Sequence, residues 1–93
     1  MDSELTQIED LINSGNTDKA LIRLKELTSC AEYSENSVFW FLMGKTLWKQ
    51  GKRSEATSAF RTCVLLDPNG PGKIALEIAD DISSFFNPDI LNP

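Results

Sequence analysis

SVFWFLMGKTLWKQGKRSEATSAFRTCVLLDPNG, residues 37 to 70, is the stretch whose reading decides the fold. Its apolar residues recur three and four positions apart, the spacing of a helix face, on both sides of Gly51. Trp40, Met43, Gly44 and Leu47 share one stripe before that glycine; Ala56, Phe60 and Cys63 share another after it. Gly51 is placed to close the first helix with a left-handed residue, and Pro68 cannot extend the second. The pattern therefore predicts two antiparallel helices in a hairpin. Gly44 and Ala56 are small where the helices approach most closely, and Trp40, Leu47 and Phe60 fill the space around that contact.

Working outward, a shift of 36 residues lays Leu11 on Leu47, Gly15 on Gly51, Ala20 on Ala56, Leu24 on Phe60 and Leu27 on Cys63. A first hairpin is thus predicted ahead of the second, the mark of a stacked helical array. Proline is confined to positions 68, 71, 88 and 93, so no obligatory breaker interrupts either hairpin. Five helices follow, over residues 3 to 14, 17 to 30, 37 to 50, 53 to 66 and 71 to 86. Asn16 or Thr17 is placed to cap the second, Asn36 or Ser37 the third. The first hairpin is more degenerate. Glu4, Gln7 and Ile8 stand where Trp40, Met43 and Gly44 stand in the second, so its leading helix is expected to pack at a wider distance or to fray. The last helix has Ile74, Ala75, Ile78, Ile82, Phe85 and Phe86 on one side and Lys73, Glu77, Asp80, Asp81 and Ser84 on the other. It reads as a cap on the final hairpin, followed by a short tail over residues 87 to 93.

Composition narrows the function. With 41% apolar and 25% charged residues the chain is an ordinary globular one, and no apolar run approaches the roughly 20 residues of a membrane helix. An acidic, polar start unlike a secretory leader points to the cytoplasm. The net charge of −5 repels phosphate backbones and anionic lipid, which argues against a nucleic-acid or membrane partner. That charge is uneven. Residues 1 to 36 carry 3 basic and 8 acidic side chains, 37 to 70 carry 5 and 2, and 71 to 93 carry 1 and 4. The positive middle either attracts the two negative ends within the fold or is offered to a partner. Histidine is absent, and with it the commonest general base and metal ligand. Cys30 and Cys63 lack zinc-site spacing and are expected to be buried fillers, and no cofactor is implied. Pairs such as Glu9-Asp10 and Asp80-Asp81 read as solvated helix faces. With no nucleophile motif and no phosphate-binding glycine loop, nothing points to an enzyme.

Trp40-x-x-Met43-Gly44-x-x-Leu47, Ala56-x-x-x-Phe60 and Pro68 stand at the spacing of the tetratricopeptide repeat (TPR) motif, with Met43 for the usual Leu and Leu47 for the usual Tyr. On those residues the chain resembles the TPR family, and as a whole it looks like small bacterial TPR proteins. The resemblance implies a single all-α domain: a degenerate first repeat over 1 to 36, a second over 37 to 70, a capping helix over 71 to 86 and a tail. Such a chain would be a complete protein or a C-terminal domain. In that family the leading helix of each hairpin lines a concave groove that receives peptides. Val38, Phe41, Lys45, Trp48 and Lys49 would project there, suited to a peptide with an apolar side chain and a carboxylate. An alternative places Phe41 and Trp48 in the core. The family's clamp for chaperone tails is not implied, because Leu5, Glu9, Leu42 and Lys45 occupy the matching positions. The expected function is therefore protein or peptide binding. Self-association is the alternative, with Ile90 and Leu91 in the tail folding over the cap or inserting into a second copy to give a homodimer.

Overall fold

The structure is a computed structural model that describes residues 3 to 77. The described residues form an all-helical stack without strands: α1 (Ser3–Asn13), α2 (Thr17–Leu27), α3 (Ala31–Ser34), α4 (Ser37–Lys49) and α5 (Arg53–Leu66). A further helical segment, α6, occupies residues 71 to 77. The two hairpins expected from the 36-residue shift are α1–α2 and α4–α5, and their turns are built alike. Gly15 and Gly51 have φ of 89° and 81°, in the left-handed region. In the first turn Asn16 N–H donates to Leu11 O at 2.8 Å and Gly15 N–H to Ile12 O at 3.1 Å. In the second, Lys52 N–H donates to Leu47 O at 2.9 Å and Gly51 N–H to Trp48 O at 3.0 Å. Both are the paired bonds that satisfy the last carbonyls of a helix ending in glycine.

One expected helix is divided. The second was predicted to run from 17 to 30, but α2 ends at Leu27 and α3 follows as a single turn. At the break Thr28 Oγ1 donates to Leu24 O at 2.9 Å and Ser29 Oγ to Glu26 O at 3.4 Å, satisfying carbonyls at the helix end. Cys30 then turns extended, and its carbonyl accepts from Tyr33 N–H and Ser34 N–H to start α3. The expectation that Cys30 is a buried filler is corrected by this turn, which leaves it exposed while Cys63 is buried. Asn36 caps α4 as expected, its side chain accepting from Val38 N–H at 2.9 Å.

The core is continuous across both hairpins. Leu5, Ile8 and Ile12 of α1 meet Ala20, Leu21 and Leu24 of α2, and α4 lies in the middle, touching α1, α2, α3 and α5. The first hairpin does not fray, since Leu5, Ile8 and Ile12 are all buried. It is nonetheless the looser of the two. The α4–α5 pair is packed far more extensively, because Gly44 lets Phe60 lie against the α4 backbone: a Cβ at position 44 would stand 2.9 Å from Phe60 Cζ and nearer still to two other ring carbons. Ala56 is fully buried opposite. Thr46, also fully buried, donates its hydroxyl to Leu42 O at 2.8 Å.

At the other end α6 docks through Gly72. A Cβ there would lie 2.5 Å from Cys63 Sγ, so only a glycine fits the contact. That docking sets the register of the segment: Ala75 and Leu76 rest on the core, whereas Ile74, expected on the packed side, is turned out and 64% exposed. Ile78, Ile82, Phe85, Phe86 and the tail lie outside the described residues. Burial pushes the Cys63 thiol up from its ordinary value, with Asp67 adding to the effect and the Gly72 N–H opposing it. Iodoacetamide is therefore expected to label Cys30 promptly and Cys63 only on unfolding, as read by mass spectrometry of the intact protein. The sign of the linkage follows. The stabilisation from a neutral Cys63 is complete below the unfolded thiol's value near 9.0 and is lost as pH climbs through the higher folded value, so the native state weakens in alkali.

Candidate functional site

Helix α4 is apolar around most of its circumference, and the structure sorts that circumference into three files. Phe39, Leu42 and Thr46 are fully buried, facing the first hairpin. Met43, Gly44 and Leu47 are buried toward α5, with Trp40 half-covered beside them. The third file is Val38, Phe41, Lys45 and Trp48, at spacings of three, four and three residues. All four are half-buried, and Lys49 beside them is exposed. From Val38 to Trp48 the file runs for about 15 Å.

The third file is held by the core and by neighbouring cations. Val38, Phe41 and Trp48 pack against the edge of the core, and the Phe41 ring tilts at 45° against Phe60 with centroids 6.2 Å apart. On its other flank Phe41 is met by Lys45 Nζ, 5.6 Å from the ring centroid. Arg53, the first residue of α5, lies with Cζ 4.8 Å from the centroid of Trp48. Both are cation–π geometries. Groove and core are alternatives for Phe41 and Trp48; each ring packs against the core and keeps part of its surface exposed. The five expected residues do fall on one helix face, and Arg53 joins them. Arg53 is only five positions from Trp48, across the Gly51 turn whose closure was itself readable, so hairpin geometry was the signal for it.

Two shallow grooves lie elsewhere. One, of about 350 Å³, has Trp40, Met43, Leu47 and Ala59 on its floor and Thr28, Glu55, Ser58 and Thr62 along its rim. Trp40 is held there by its Nε1–H, which donates to Ser34 O at 2.7 Å, and by an edge-on contact with Phe39 at 5.3 Å. The other, of about 250 Å³, runs between α1 and α2 past Ile8, Leu11 and Ile22. Arg23 spans its rim, pairing with Glu4 and, at 3.3 Å, with Glu26. Its hydrogen bond to Glu4 leads the effects that raise its pKa, so the guanidinium stays charged. Among the described residues no three Cys, Asp or Glu side chains gather as a metal site, and no helix is long and apolar enough to cross a membrane. Of the positions matching the family's chaperone-tail clamp, Leu5 and Leu42 are buried in the core, so those two side chains have no access to a ligand. No family model, curated protein or solved structure matches the chain.

Proposed function

We propose that the chain is a TPR-like stack that binds a peptide or another protein along the third file of α4, and that it is not an enzyme. The observation that supports this most is the half-covered state of Val38, Phe41 and Trp48. Rings packed against the core and beside a cation, yet still partly exposed, present rigid apolar surface, and little ordering entropy remains to be lost when a partner covers it. Lys45 and Lys49 supply positive charge beside them, and neither forms an ion pair with a described residue.

Aromatic anchors at the centre of an interface typically cost 2 kcal/mol or more when truncated, roughly 30-fold in affinity. Peptides selected from a displayed random library on the full chain are expected to lose at least about that factor on Trp48→Ala or Phe41→Ala. Far-UV circular dichroism of both variants should stay native, because Trp48 is only half-buried. Equal binding by both variants, or loss of helicity in both, would count against α4 as a binding face.

A further inference from the structure

The occupant of the α4 file can be read from charge and pattern. Segment 37 to 70 carries 5 basic and 2 acidic residues, and segment 71 to 93 carries 1 and 4. Among the described residues no ion pair involves Lys45 or Lys49. Lys45 instead sits over Phe41 and Arg53 over Trp48. Cations resting on exposed rings are weakly committed, and an arriving carboxylate can draw them off. The face thus alternates ring and cation along its length, and it calls for a strand of apolar residues interrupted by acid.

The chain's own sequence contains such a pattern: Phe85-Phe86-Asn87-Pro88-Asp89-Ile90-Leu91, with two rings, one carboxylate and two aliphatic side chains. Its tether reaches. Phe85 lies eight positions beyond Glu77, where the described residues end. That interval spans about 12 Å as helix and about 26 Å extended, against a length of about 20 Å for α4. The start of that tether is fixed on the same hairpin, because Gly72 is locked against Cys63. A short linker of this kind holds the segment at roughly millimolar effective concentration, so even weak contacts are occupied.

We infer that residues 85 to 91 bind the α4 file, with Asp89 beside Lys45 and Lys49 and the apolar residues on Phe41 and Trp48, so that an outside partner must displace the chain's own segment. The inference rests on the proposed binding face but not on any particular outside partner.

Zero-length carbodiimide cross-linking of the full chain, read by mass spectrometry, tests it. The expected product joins Asp89 to Lys45 or Lys49. A mixture of ¹⁴N- and ¹⁵N-labelled protein assigns the link: unmixed products place the segment on its own chain, mixed ones place it on a second copy, and either supports occupancy of the face. A Trp40→Phe background leaves Trp48 as the lone indole. There, Ile90→Asp with Leu91→Asp should about double acrylamide quenching. Library peptides should also bind this variant several-fold more tightly than the parent. Links from Asp89 only to Lys19, Lys25 or Lys52, or none, with quenching unchanged, overturn the inference. If library peptides still depend on Phe41 and Trp48 in that event, the binding face stands without its internal occupant. If they do not, both readings fall.

Discussion

Phe39→Ala is expected to be among the most destabilising single substitutions in the protein, lowering the melting temperature by about 12 °C or more. Phe39 is fully buried, stacks edge-on against Trp40 at 5.3 Å and lies 6.1 Å from the Tyr33 ring of α3. Truncating a buried phenylalanine costs about 3 to 5 kcal/mol. A chain of 93 residues has a total stability of roughly 5 to 14 kcal/mol. The loss is a large fraction of that margin and corresponds to a fall in melting temperature of about 12 °C or more. Tyr33 and Trp40 lose a shared partner as well, so α3 should loosen together with the start of α4. Thermal melting followed at 222 nm checks this, with Phe39→Leu as the conservative control. A Phe39→Ala variant melting within a few degrees of the parent would mean that this file of α4 does not face the core. Trp48→Ala should melt far closer to the parent, since Trp48 is already partly exposed, and the contrast between residues 39 and 48 measures the division of α4 into core and binding faces.

The same residue shows where the reading of the sequence stopped. Two hairpins, both left-handed glycines, the Asn36 cap and the close approach at Gly44 were legible because each depends on chemistry within a few residues or on an exact internal shift. The burial of Phe39, Leu42 and Thr46 was not. On a helix apolar on nearly every side, periodicity cannot say which stripe meets the neighbouring hairpin, and Thr46 hides its polarity by bonding Leu42 O. The 36-residue shift carries a clue in retrospect. It lays Phe39, Leu42 and Thr46 on Ser3, Thr6 and Asp10, all exposed, so α1 has a polar outer face where the matching face of α4 is covered by the first hairpin. The break after Leu27 has no glycine or proline to mark it, and Thr28 and Ser29 bond helix carbonyls there much as Thr46 and Thr57 do inside intact helices, so local chemistry did not announce it. For the proposed binding face, the resemblance pointed to five residues of α4, and these do share one side of the helix. Arg53 was within reach of the hairpin geometry but was not drawn from it, and the half-coverage of each ring needed coordinates, because it depends on how close α5 comes.

Gly44→Ala is expected to destabilise the protein by about 1 to 3 kcal/mol, even though alanine in a helix interior is ordinarily preferred to glycine by about 1 kcal/mol. The added methyl meets the Phe60 ring, and Phe60 has little room to retreat: it is 4% exposed and backed by Phe41, whose centroid is 6.2 Å away. Phe60→Leu alone should also destabilise, by loss of packing. The combined Gly44→Ala, Phe60→Leu variant should fall short of the sum of the two single losses by about 0.5 to 3 kcal/mol, because the smaller side chain vacates the space the methyl needs. Gly51→Ala separates sterics from backbone strain. No atom lies within 4 Å of a Cβ built there, so its cost is only that of holding a left-handed φ of 81°. Urea unfolding of the four variants gives the comparison directly. A Gly44→Ala protein as stable as the parent would show that α4 and α5 do not meet at this distance, and with it would go the contact that positions Phe41 on the edge of the core.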